Sequence, residues 1–188
     1  MRSFLFAASL AAFSVAGAAP EHPALRQAAN PQLDSLFGQL AKAASEDEAK
    51  PIEDQILTRF LQSGSPSVDL LMTRAAGALG SGDIGAARKI LAAVTAIAPD
   101  YAEGWHQRGK LEAVAGDDEG AIISLHKAVK LNPRQFAAMS ELAGILVEYG
   151  DKRDALGLLR RALAMDKYLP DAEREMHQLS RDVEGEKI

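Results

Sequence analysis

Four histidines, His22, His106, His126 and His177, are the side chains best suited to bind a metal or move a proton near neutral pH. A helical zinc site needs two such ligands one turn apart, as in H-E-x-x-H, and no two of these stand at that spacing. The acidic run Gly116-Asp117-Asp118-Glu119-Gly120 lacks the alternating oxygen ligands of a calcium loop and reads as a turn with a helix cap. Cysteine is absent, which excludes disulfides, thiolate nucleophiles and Cys-ligated metals. No G-x-S-x-G and no phosphate-cradling Walker loop occur, and Glu173 and Glu175 lie on an exposed helical pattern. No catalytic, metal-binding or cofactor-binding residue is therefore assigned. The net charge of -5, without a basic run, argues against a nucleic acid partner, whose phosphates need clustered Lys and Arg. With 188 residues, 47% hydrophobic and 25% charged, the composition is that of one globular domain or one repeat array.

The organising signal is a period. Gly82, Gly116 and Gly150 recur every 34 residues, each followed by Asp (Asp83, Asp117, Asp151). Ala87, Ala121 and Ala155 keep the interval, as do Leu91, Leu125 and Leu159, and Pro99 and Pro133 close two of the three units. Each unit reads as two helices. In the middle one the first runs from Ala102 to Ala115 and Gly116 ends it, because glycine enters the left-handed region without a Cβ penalty. Asp117 then caps a second helix, Glu119 to Leu131, whose Ala121, Ile122, Leu125, Ala128 and Val129 make one apolar face. Small residues at Ala75, Gly109 and Ala143, and at Ala87, Ala121 and Ala155, let helices approach closely.

Period and residues together resemble the tetratricopeptide repeat. The middle unit matches it at Trp105, Gly109, Ala121, Ala128 and Pro133, and departs at Arg108, where Leu is usual, and at Glu112, where Tyr is usual. The resemblance implies an all-α fold, a right-handed superhelical stack of helix-turn-helix repeats, or α-solenoid. The units are 68–101, 102–135 and 136–169. Ala172, Met176, Leu179 and Val183 then form one face of a C-terminal capping helix within 170–188. Residues 32–67 hold two further helical stripes, Leu33, Leu36, Phe37, Leu40 and Ala44, then Ile52, Ile56, Leu57, Phe60 and Leu61. They read as a hairpin shaped like a degenerate repeat, expected to pack on the first unit.

In this family the first helix of each pair lines a concave groove where partner segments lie. The register carries that role to Asp69, Met72, Thr73 and Ala76 in the first unit, and to Glu103, His106, Gln107 and Lys110 in the second. In the third it falls on Ala137, Ser140, Glu141 and Gly144. Some members clamp a C-terminal carboxylate with Lys, Asn and Arg. Here Lys110 is the sole basic side chain the clamp could use and Asn is missing, which points instead to a peptide or helix held at Met72 and Trp105 and oriented by Glu103, Glu141 and Lys110, with Trp105 read first as inter-helix core.

The start of the chain, with Arg2, an apolar run from Phe4 to Val15 and Ala16-Gly17-Ala18, reads as a secretory signal peptide over 1–18. An uncleaved anchor is the alternative. A flexible segment, 19–31, follows. The expected protein is exported, periplasmic in a Gram-negative cell, with no stable membrane insertion after cleavage. It is a non-enzymatic adaptor, assembly factor or scaffold binding a protein or peptide. A second reading is a structural subunit of an envelope complex, with Phe37 or Phe60 of the hairpin at the contact.

Overall fold

The computed structural model describes residues 30–185. The signal-peptide reading, and the flexible segment up to residue 29, lie outside them. Nine helices and no strand occur among the described residues: α1 (Pro31–Lys42), α2 (Glu46–Phe60), α3 (Pro66–Gly80), α4 (Ile84–Ile97), α5 (Ala102–Val114), α6 (Asp118–Leu131), α7 (Phe136–Glu148), α8 (Lys152–Leu163) and α9 (Ala172–Glu184). Helices α3–α4, α5–α6 and α7–α8 are the three repeat pairs, and α9 packs on α8 as the cap. No described helix is long and apolar enough to cross a membrane.

The repeated Gly-Asp makes the same turn three times. Gly82, Gly116 and Gly150 have φ of 76°, 75° and 83°. In the middle turn the Gly116 amide donates to the Ala113 carbonyl at 3.0 Å and the Asp117 amide to the Glu112 carbonyl at 2.8 Å. This pair of bonds is the Schellman closure, which satisfies carbonyls left without partners at a helix end. The same bonds recur at Gly82–Asp83 and Gly150–Asp151. The Asp83 and Asp117 side chains then cap the next helix, accepting from Ala86 N at 2.9 Å and Gly120 N at 3.1 Å, whereas Asp151 makes no such side-chain bond. The first unit begins slightly earlier than the period suggests, because Pro66 occupies the first turn of α3.

Close approach is real where small residues were expected. Ala87, Ala121 and Ala155 are fully buried. A Cβ placed on Gly109 would lie 2.7 Å from Leu125 Cγ and 3.1 Å from the Leu125 backbone nitrogen, so α5 and α6 meet there with no room for a methyl group. Gly104 is equally confined, with Val94 Cγ1 2.8 Å from its would-be Cβ.

The hairpin departs from expectation. Instead of packing on the first unit alone, it lies along the array. Phe60 and Phe37 meet Phe136 of the third unit, with centroids 6.5 and 6.2 Å away, and Arg134 lies 4.7 Å above the Phe37 ring. The Tyr168 hydroxyl, beyond the third unit's second helix, donates to the Ala43 carbonyl at 3.1 Å. At the other end the Tyr101 hydroxyl donates to the Leu61 carbonyl at 2.9 Å. The physical reason is aromatic. The largest apolar side chains of the hairpin find their matching surface at Phe136, and a hairpin without the small-residue markers of a repeat does not stack as one. Asn30 and Pro31, counted with the flexible segment in the sequence, instead cap and open α1, the Asn30 side chain accepting from Gln32 N at 2.9 Å.

The apolar interior divides in two. A large core joins α1 and α2 to the second and third units and the cap, through Ile56, Phe60, Leu125, Phe136, Met139, Leu159 and Leu179. A smaller one belongs to the first unit and its junction: Val68, Met72, Ala75, Ala87, Leu91, Val94, Tyr101 and Leu111.

Candidate functional site

The candidate groove residues have three different settings. Glu103, His106, Gln107, Lys110 and Glu141 come together in one polar network between α5 and α7. His106 is the hub. Its Nδ1 lies 3.2 Å from Glu103 Oε2 and its Nε2 3.0 Å from Glu141 Oε2. Gln107 Nε2 donates to Glu103 Oε1 at 2.6 Å, and Lys110 Nζ stands 3.9 Å from Glu141 Oε1. Burial alone pulls the imidazole pKa down, but the hydrogen bonds it donates to both carboxylates outweigh that and raise His106 to about 9. At neutral pH it is therefore an imidazolium held between two acids of adjacent repeats. His106 and Glu103 are 4% and 5% exposed, so neither offers its charge to a ligand, although the register places both on the groove face. The helix period finds the face correctly but cannot show that these charges neutralise one another across it.

Asp69 and Thr73 belong to the entry of α3. Asp69 Oδ1 accepts from Ser63 N at 2.9 Å and Ser63 Oγ at 2.6 Å, fastening the turn that connects the hairpin to the array. Thr73 is exposed, its hydroxyl bonded to the Asp69 carbonyl at 2.9 Å. Ser140 is half-buried on α7, and Ala137 packs against the large core.

Met72 and Gln107 have a different setting. They line an apolar pocket of about 240 Å³ with Leu61, Ala75, Ala76, Leu79 and Leu91. Leu91 forms its buried floor and Leu61, 46% exposed, its rim. Trp105, read from the sequence first as inter-helix core and second as a ligand contact beside Met72, is not in this lining. Its indole N–H donates to the Pro99 carbonyl at 2.9 Å, and the ring packs against the large core. The structure thus assigns Met72 to an open pocket and Trp105 to the scaffold.

Two features of the site escape the sequence reading. Gln135 is fully buried and its amide donates to Glu103 Oε2, completing the His106 network from the turn before α7. The signal was in the period, because Gln135 stands one repeat after Tyr101 and one before Leu169, both buried. A polar residue at that slot needs an internal partner. The second is the pairing of the two departures from the repeat pattern. Arg108 Nε donates to Glu112 Oε1 at 2.7 Å, Arg108 also reaches Thr95 Oγ1 at 3.3 Å, and Ser124 Oγ donates to Glu112 Oε2 at 2.5 Å. This relay stands where the repeat pattern places apolar Leu and Tyr side chains, at the junction between the two cores.

No protein-family model matches the chain. A tetratricopeptide-repeat-containing protein of Rhizobium etli is 32% identical over 156 residues, covering 82% of this chain and 76% of that protein. Among solved structures, the O-GlcNAc transferase of Thermobaculum terrenum aligns with a TM-score of 0.54 and 27% identity over 61% of this chain, which spans 22% of that protein. The Yersinia enterocolitica type III secretion chaperone SycD, solved with a peptide of the translocator YopD, aligns with a TM-score of 0.53 and 18% identity, over 64% of this chain and 92% of that one. The three Gly-Asp turns, the 34-residue stack they close and the Rhizobium relative agree: the chain belongs to the tetratricopeptide-repeat proteins.

Proposed function

We propose that this protein is a non-enzymatic interaction module that binds an apolar segment of a partner peptide or helix in the pocket between the first and second repeats. One observation carries the reading. Among the groove positions, the charges on α5 and α7 are engaged with one another, while the pocket lined by Leu61, Met72, Ala76, Leu79 and Gln107 stays open. An apolar cleft with a single convergent amide suits an aliphatic or aromatic anchor whose backbone bonds Gln107. A rigid stack limits the ordering cost of binding. The peptide-bound Yersinia chaperone, alike in fold, supports the same use of the array.

The N-terminal pattern supports export, so the partner is sought outside the cytoplasm, where the module would act as adaptor, assembly factor or scaffold. The reading of the hairpin as an exposed contact through Phe37 or Phe60 loses its basis, because Phe60 is 1% exposed and Phe37, half-buried, packs against Phe136. The test is crosslinking in native cells, identification of the partner, and its recovery with Ala76→Arg and Leu61→Arg. Both positions are exposed, so the fold should survive. Loss of recovery with an unchanged melting temperature is expected. Recovery equal to that of the parent protein would sink the pocket assignment. N-terminal sequencing of the exported protein tests cleavage after residue 18.

A further inference from the structure

A second cleft lies between α6 and α8 over α7, and shares no lining residue with the pocket above. Its volume is about 330 Å³. The floor is apolar, made by Val129, Leu142, Leu146 and Leu158, and the rim carries His126, Arg153, Arg161 and Asp154. The space over Gly157 is open, since a Cβ there would meet nothing within 4 Å. The basic residues of α8 divide by direction. Lys152 and Arg160 face the cap and are paired with Asp182 at 2.6 Å and Glu184 at 2.8 Å. Arg153 and Arg161 face the cleft, are exposed, and have no carboxylate within ion-pairing distance among the described residues.

We propose that this cleft is a second docking site, for an acidic peptide segment of a partner protein that carries an apolar side chain beside its carboxylates. The two guanidinia span the cleft along α8 and suit carboxylates at either end of a short extended segment, with the apolar side chain on the half-buried Leu146 and Leu158. The unpaired cations sit on a chain of net charge -5, so they are a local feature rather than part of a basic surface. Asp154, placed on the same rim, disfavours a dense anionic surface such as a lipid bilayer and leaves room for a peptide amide to donate to it.

The experiment uses the mature full-length protein and a fluorescein-labelled Gly-Glu-Leu-Glu-Gly peptide, with Gly-Lys-Leu-Lys-Gly as its control, in fluorescence anisotropy. The acidic peptide is expected to bind at least about tenfold more tightly than the basic one, and to weaken with salt. Arg153→Glu and Arg161→Glu should each weaken it about tenfold, and Gly157→Leu should do so without changing any charge. Ala76→Arg, in the other pocket, should leave it unchanged, which separates failure here from failure of the groove reading. Equal affinity for both peptides, or indifference to the Arg reversals, overturns the proposal. So does capture of phosphatidylserine vesicles, lost on the same reversals, without capture of the acidic peptide.

Discussion

The two ends of this array use the same repeat differently. At the third unit, Phe136 is covered by the hairpin's Phe37 and Phe60, and one core runs from α1 to the cap. At the first unit the hairpin supplies the rim residue Leu61 and the Ser63 that binds Asp69, and a pocket stays open above Leu91. Between them the Arg108–Glu112 pair interrupts the apolar interior. The comparison teaches that a solenoid can satisfy one stretch of its surface internally and leave another for a partner. The position of a few large side chains decides which.

The largest effect should separate two adjacent residues. Phe60→Ala removes the centre of the covered end and is expected to cost roughly 3–5 kcal/mol. Leu61→Ala, at the open end, should stay within about 0.5 kcal/mol while weakening partner binding. Chemical denaturation of both variants checks this, and equal costs would erase the contrast.

The junction of the second and third units should depend on pH. His106 is raised to about 9 in the folded protein, above the ordinary histidine range. Its contribution is therefore fully present below about pH 6.5 and is lost as the pH rises through 9, a change of roughly 3 kcal/mol. Denaturation midpoints at pH 6, 8 and 10 should fall for the parent protein and stay flatter for His106→Gln. A parallel fall in both would remove the imidazolium from the account.

Gly109→Ala is next. With Leu125 Cγ 2.7 Å from the new methyl, α5 and α6 must separate, at a cost of about 1–3 kcal/mol. Ala121→Leu, on the facing helix and fully buried, should cost a similar amount. Gly144→Ala, where nothing lies within 4 Å, is the control and should be neutral or slightly stabilising. Thermal melts that rank these variants otherwise would contradict the register of close contacts.

The smallest effect belongs to Asp166, beneath the covered end. Burial pushes its carboxyl up, against the Tyr168 amide and Lys50, which draw it down, and burial likewise raises the nearby Glu53. A raised carboxyl stabilises the fold below the unfolded pKa and loses that contribution as the pH rises through the folded one. Asp166→Asn keeps an acceptor for the Tyr168 amide without the buried charge. A slight rise in melting temperature at pH 7, shrinking towards pH 3, is expected; a fall at pH 7 would contradict it.

Much of the fold was legible because it is written in local terms. A glycine that must take positive φ, an aspartate that caps and an alanine that allows contact each act within a few residues, and recurrence every 34 positions makes them recognisable. The helix boundaries of the middle unit follow to within a residue of expectation. The site was legible only as a face. The register found the helix surface that holds Met72 and His106, but opposite fates await them: one lines a pocket, the other closes an ion-pair network.

Sequence alone determined the period, the turns, the caps and the absence of cysteine chemistry, since each depends on residue type and near neighbours. Tertiary structure decided where the hairpin lies, which charges neutralise each other and which apolar surface stays open. Those depend on pairs far apart in the chain, such as Tyr168 with Ala43, Arg134 with Asp34 and His106 with Glu141. Their energies come from desolvation and contact in three dimensions, and no one-dimensional pattern records them.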